Sequence, residues 1–152
     1  MDKKTFITMT GELEQTGLGR FHKAQDICYE TALKEIKDGY KRSHWMWFIF
    51  PQIKGLGRSS TAQYYAISSL DEARAYLEDK LLGSRLREIC EELLEHSDRS
   101  IQGILGVIDS IKLKSSMTLF DLVSPNDVFD KVLDAFYSGE RDNRTTSAVI
   151  TM

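Results

Sequence analysis

Residues 101–123 read IQGILGVIDSIKLKSSMTLFDLV, and the recurrence of their apolar side chains decides the fold class. At 100° per residue, Ile104, Ile108, Ile111, Leu119 and Leu122 share one face of a helix, while Leu113, Met117 and Phe120 share another. Only a strip around Ser110, Lys114 and Asp121 is left for water. The helix is therefore predicted to be central, with a bend at Gly103 or Gly106, where a residue without a Cβ weakens it.

The same period continues outward. Phe21, Ala24, Cys28, Ala32 and Ile36 recur every three or four residues until Gly39, which predicts a helix over 20–38. Ser69-Leu70-Asp71-Glu72 matches a capping box ahead of a helix over 70–78. Leu82, Leu86, Ile89, Cys90 and Leu93 mark the next stripe, and the glutamates at 88, 91, 92 and 95 form its solvated face. Ser124-Pro125-Asn126-Asp127 predicts an N-cap at Ser124 and a proline at the first helical position, before Val128, Phe129, Val132, Leu133 and Phe136. Residues 145–151 are expected as an extended segment or a short helix. Runs of alternating apolar residues do not compete with these assignments. The expected fold is all-α, with six or seven helices in one domain over 20–152, preceded by a polar lead-in over 1–19 that Gly11, Gly17 and Gly19 interrupt.

Composition agrees with one domain: 152 residues, 41% hydrophobic and 28% charged, suffice for a substantial core. The net charge of -3 gives no overall attraction to nucleic acid, which is not an expected partner. An apolar run of membrane-spanning length and a signal-type apolar stretch are both missing, so a cytoplasmic protein without membrane association is expected. Cys28 and Cys90 lie in separate helical patterns without neighbours at metal-ligand spacing, which predicts reduced thiols, no metal site and no cofactor.

Functional signals come from polar residues on apolar faces. The helical projection of 101–123 places Lys112 and Ser115 inside its first apolar face, with Ser116 and Thr118 on the flanks. A buried ammonium requires a carboxylate, carbonyls, water or an anionic ligand. The competing reading is that Lys112 extends to solvent and the hydroxyls bond back to the helix. Gln25 projects beside Phe21, Cys28 and Ala32, and its amide requires buried partners.

A third signal is KRSHWMWFIFPQIKGLGRSS, residues 41–60. Ser43 is expected to cap a short helix through residues 45–50, apolar all round and stopped by Pro51. Gln52, Gly55, Gly57, Arg58, Ser59, Ser60 and Thr61 then suit a loop whose amides approach a ligand closely. Gly55-Leu56-Gly57 is not a dinucleotide fingerprint, because a strand and a third glycine are missing. His44 is either structural or a candidate catalytic acid or base, the latter only with an orienting partner.

Arg20-Phe21 with Ala24-Gln25, the block His44 to Gln52, Gly55-Leu56-Gly57 with Ser59, and Lys112-Leu113 with Ser115 to Phe120 resemble the domain of unknown function 1810 family, from about Arg20 to the C-terminus. The resemblance implies a small, mainly helical single domain and no established activity. Its signature segments coincide with the misplaced polar residues. We therefore expect one pocket drawing on Gln25, Arg42, His44, Trp45, Trp47, Gln52, Gly55, Gly57, Ser59, Lys112, Ser115 and Thr118. The expected partner is a small anionic or nucleotide-like metabolite, bound and, if His44 is catalytic, hydrolysed or transferred. The alternative is a peptide- or protein-interaction module built on the aromatic segment 44–52, which requires Met46, Phe48 or Phe50 to be exposed.

Overall fold

The helices expected over 20–38 and 70–78 form to within a residue in the computed structural model, which describes residues 17–151, whereas a short helix over 60–65 starts inside the expected loop. The chain forms α1 (Gly19–Asp38), α2 (Met46–Ile49), α3 (Ser60–Tyr65), α4 (Leu70–Glu78), α5 (Lys80–Leu94), α6 (Ile101–Leu105), α7 (Val107–Val123), α8 (Val128–Tyr137) and α9 (Asn143–Ile150). Six of these nine helices have eight or more residues and account for the six or seven expected. Among the described residues no strand forms, and the one β-bridge joins Ile53 to Ile67. The expected lead-in over 1–19 lies outside the described residues except for 17–19, where Gly19 already opens α1.

Local chemistry sets the boundaries. Gly39 takes a left-handed conformation and returns its N–H to the last turn of α1. Ser69 accepts the Glu72 N–H at 3.1 Å, and Glu72 reaches back to the Ser68 N–H at 2.8 Å, a capping box shifted by one residue on its return bond. The expected bend is a full break at Gly106, whose φ of +89° suits a residue without a Cβ and divides α6 from α7. Residues 145–150 are helical, held by the Asp142 carboxylate on the Thr145 N–H at 3.1 Å.

Two expected caps are corrected. Ser43 does not cap α2, because its hydroxyl and amide are both spent on Glu35, and Trp45 occupies the N-cap position. Ser124 does not cap α8 either. Asp127 does so, and the Ser124 hydroxyl donates to Asp127 at 2.8 Å, leaving Pro125 in the preceding turn.

The core gathers around α7, which packs against α4, α6, α8 and α9, while α5 joins α1, α4 and α8. A chain of ring contacts threads it: Phe21 to Tyr76 at 5.1 Å, Tyr76 to Phe120 at 5.3 Å and Phe120 to Phe129 at 5.7 Å. One expectation about α7 fails. Ile108 is 70% exposed and Ile111 52%, whereas Ser110, assigned to the water-facing strip, is buried. Tyr137 of α8 covers that strip and donates its hydroxyl to the Ser110 carbonyl at 2.5 Å. The first two turns of α7 thus turn their apolar face toward a cleft. Among the described residues no helix is long and apolar enough to cross a membrane.

Candidate functional site

The cleft is built on a buried carboxylate. Glu35, near the end of α1, accepts from the Arg42 N–H at 2.8 Å, the Ser43 N–H at 3.0 Å, the Ser43 hydroxyl at 2.5 Å and the Trp45 indole N–H at 2.9 Å. Burial alone would raise its pKa, but the hydrogen bonds outweigh burial, and the value falls to about 2. The Lys41 N–H adds a 2.8 Å bond to the Ile104 carbonyl, so residues 41–45 are tied to both α1 and α6. This segment presents Lys41 and His44 on one side of the cleft and leads into α2. Every apolar residue from Trp45 to Phe50 is buried except Trp47, which is half-buried and lines the cleft.

Opposite stands the start of α7. Asp109 bridges two cations: Lys41 Nζ lies 2.9 Å from Oδ2, and Lys112 Nζ lies 3.7 Å from Oδ1. Lys41 also donates to the Ser43 carbonyl at 2.6 Å and is nearly closed off from solvent, its side chain 9% exposed. Lys112 retains 27% exposure and holds its ammonium 5.1 Å from the Trp47 ring centroid. It therefore neither extends freely into water nor pairs with an acid of its own.

Lys112 and Trp47 stand where two cavities adjoin, and both line each of them together with Ile108. The first cavity, about 450 Å³, is walled by Met46, Leu105, Val107 and Ile108 and edged by Lys41, His44 and Asp109. The second, about 300 Å³, adds Gln52, Gly57, Arg58, Ser59 and, from α9, Arg144. Both volumes lie within the usual range for small-molecule clefts, about 300–1,000 Å³. Across the two, four cationic side chains face one carboxylate among the described residues, on a chain whose net charge is -3. Gly57 permits the close turn of the loop: a Cβ there would stand 2.5 Å from the Ala62 Cβ.

Of the residues singled out in the sequence, the structure brings His44, Trp47, Gln52, Gly57, Ser59 and Lys112 to this cleft. Gly55 faces a different cavity of about 610 Å³, shared with Arg20, Lys54 and Tyr64. That larger cavity is the weaker candidate, because Arg20 is committed to the Tyr64 and Ala66 carbonyls and to Glu72. Gln25 lies in the core, where its amide donates to the Phe48 carbonyl at 2.7 Å and the Tyr76 hydroxyl at 2.8 Å. Trp45 is buried, and Arg42 points outward to Asp38 at 3.4 Å.

Ser115 and Thr118 are buried and serve Asp142. The Ser115 hydroxyl donates to the Asp142 carboxylate at 2.9 Å, and the Thr118 hydroxyl accepts the Asp142 N–H at 2.9 Å. Asp142 in turn caps α9, the helix that carries Arg144 to the cleft. These hydroxyls are thus two bonds removed from the site. The Ser116 hydroxyl is buried with no partner in the structure.

Lys41, Asp109 and Arg144 join the site without having been expected there. Asp109 carried a signal, since it lies one helical turn before Lys112. Arg144 carried none, because only the docking of α9 brings it in. His44 is exposed, and among the described residues no hydrogen-bond partner orients its ring. Met46, Phe48 and Phe50 are buried, so the aromatic segment presents no apolar patch of its own. Among the described residues no group of three or more His, Cys, Asp or Glu side chains could hold a metal ion.

Comparison with known proteins is consistent with this architecture. The family model described as a protein of unknown function, DUF1810, matches residues 15–149. The fold is similar to the crystal structure of a conserved hypothetical protein from Mycobacterium tuberculosis. That chain is 45% identical, the match covers 89% of this chain and 97% of that one, and the TM-score is 0.86. No functionally curated protein matches the sequence.

Proposed function

The chain belongs to the DUF1810 family of proteins of unknown function, and from the cleft between α2 and α7 we propose that it binds a small anionic metabolite there. The observation that carries this reading is the sharing of Asp109 by Lys41 and Lys112, which leaves Lys112 without an acid of its own among the described residues, beside the half-buried Trp47. A cation held in a partly dry cleft attracts an anion far more strongly than one on an open surface. Arg58 and Arg144 widen the same positive region, and the apolar walls exclude water around it.

Binding without turnover is the reading proposed, because among the described residues His44 has no partner to fix its tautomer or aim its proton. The free thiols of Cys28 and Cys90 fit a reducing, cytoplasmic setting for the metabolite.

Isothermal titration with phosphorylated metabolites tests the proposal against a Lys112→Met variant. The substitution preserves the stem over Trp47 and leaves Asp109 paired with Lys41, so the fold is retained. Loss of the charge-assisted contact is expected to weaken an anionic ligand about tenfold or more. Unchanged affinity in the variant would refute the assignment.

A further inference from the structure

The two cavities differ in chemistry, and from that difference we infer that the ligand is a nucleoside phosphate, with its heterocycle in the first cavity and its phosphate in the second. The inference rests on the anion-binding reading above and adds to it what lies beside the anion.

The first cavity is mainly apolar. Trp47, Met46, Leu105, Val107 and Ile108 wall it, and Ile108 and Val107 are 70% and 66% exposed with nothing among the described residues to cover them. An inorganic or sugar phosphate would leave this surface wet. A flat ring would cover it, and its stacking on an aromatic side chain is favourable for any base. The rim of the cavity carries both kinds of hydrogen-bonding group: the Asp109 carboxylate accepts, and the exposed His44 ring offers a nitrogen that donates. A heterocycle with ring nitrogens and an exocyclic amine satisfies such a rim, whereas a purely hydrocarbon ring does not.

The second cavity has apolar walls as well, from Trp47, Leu56, Ile108 and Ile111, and differs from the first in its charge. Arg58, Lys112 and Arg144 line it, and among the described residues no carboxylate stands in its wall. Arg58 has no ion-pair partner among the described residues, and Arg144 meets Asp142 only at 3.7 Å. Guanidinium groups hold phosphate oxygens with directed, paired hydrogen bonds. Because Lys112 borders both cavities, a ligand spanning them passes the ammonium at the junction of ring and phosphate.

Adenosine 5'-monophosphate, adenosine and ribose 5-phosphate dissect the two halves in titrations against the full-length protein. The monophosphate is expected to bind about tenfold or more tightly than either fragment, the increment of a stacked base or a charge-assisted phosphate contact. Arg58→Ala and Arg144→Ala, both at exposed positions, should each weaken the two phosphates several-fold and leave adenosine unchanged. Val107→Ser, also exposed and lining only the first of the two cavities, should weaken adenosine and the monophosphate and leave ribose 5-phosphate unchanged. Trp47 emission should respond more strongly to the monophosphate than to ribose 5-phosphate, because only the heterocycle stacks on its ring, while the buried Trp45 stays silent in both. If ribose 5-phosphate binds as tightly as the monophosphate and still depends on Lys112, the heterocycle assignment is overturned and anion binding stands. If neither phosphate shows Lys112-dependent binding, anion binding fails and the nucleotide assignment with it.

Discussion

The two halves of α7 have the same apolar content, three of six residues in both 107–112 and 115–120, and opposite fates. From Ser115 to Phe120 every residue is buried, enclosed by α4, α8 and α9. From Val107 to Lys112 the same helix carries three open aliphatic side chains and a cation, with Ser110 and Asp109 turned toward neighbours. Hydrophobicity alone does not distinguish them. An apolar face becomes core where another helix meets it, and becomes a cleft wall where none does.

Substitutions sharpen that contrast, and the largest effect belongs to the buried half. Phe120→Ala removes a ring packed at a tilt between Tyr76 and Phe129, and should cost about 3–5 kcal/mol in denaturant unfolding. A loss below about 1 kcal/mol would show that this half is not the core.

The next effect lies on the opposite wall of the cleft. Glu35→Gln discards a charge that holds four donors and should destabilise the fold by about 1.5–3 kcal/mol at neutral pH, the worth of a charge-assisted hydrogen bond. Its pH dependence is distinctive. The carboxyl falls from an ordinary value of 4.5 to about 2 on folding, so its stabilisation is complete above pH 4.5 and is lost as pH drops toward 2. Wild type and variant should therefore converge in stability over that window, and a constant gap between them would assign the effect to packing.

Smaller effects are expected at the open half. Lys112→Met should alter stability by no more than about 1 kcal/mol, because Asp109 keeps Lys41 at 2.9 Å. A loss of about 3–5 kcal/mol would instead mark a buried ion pair and erase the difference between the halves. Ile108→Ser should fall within about 0.5 kcal/mol by thermal or chemical denaturation, as an exposed position with no special partner does.

Much of this was legible before the structure. The helices over 20–38 and 70–78 were readable because their caps and periodicity are local signals, carried within a few residues of each boundary. Lys112, His44, Trp47 and Gly57 stood out because each residue type conflicts with its immediate surroundings. Gln25, Ser115 and Thr118 stood out for the same reason, yet their partners are internal: a backbone carbonyl, a tyrosine hydroxyl and the Asp142 cap. A polar side chain on an apolar face announces that it needs a partner without saying whether the partner is protein or ligand.

The amino-acid sequence by itself determined the all-α class, the long helices and the break near Gly106, since backbone hydrogen bonds and glycine conformations depend on near neighbours. Only the tertiary structure decided that Tyr137 covers Ser110, that α9 delivers Arg144, and that Ile108 faces a cleft. Each of these depends on contacts between residues far apart in the chain, and no local pattern encodes which helix will meet a given face.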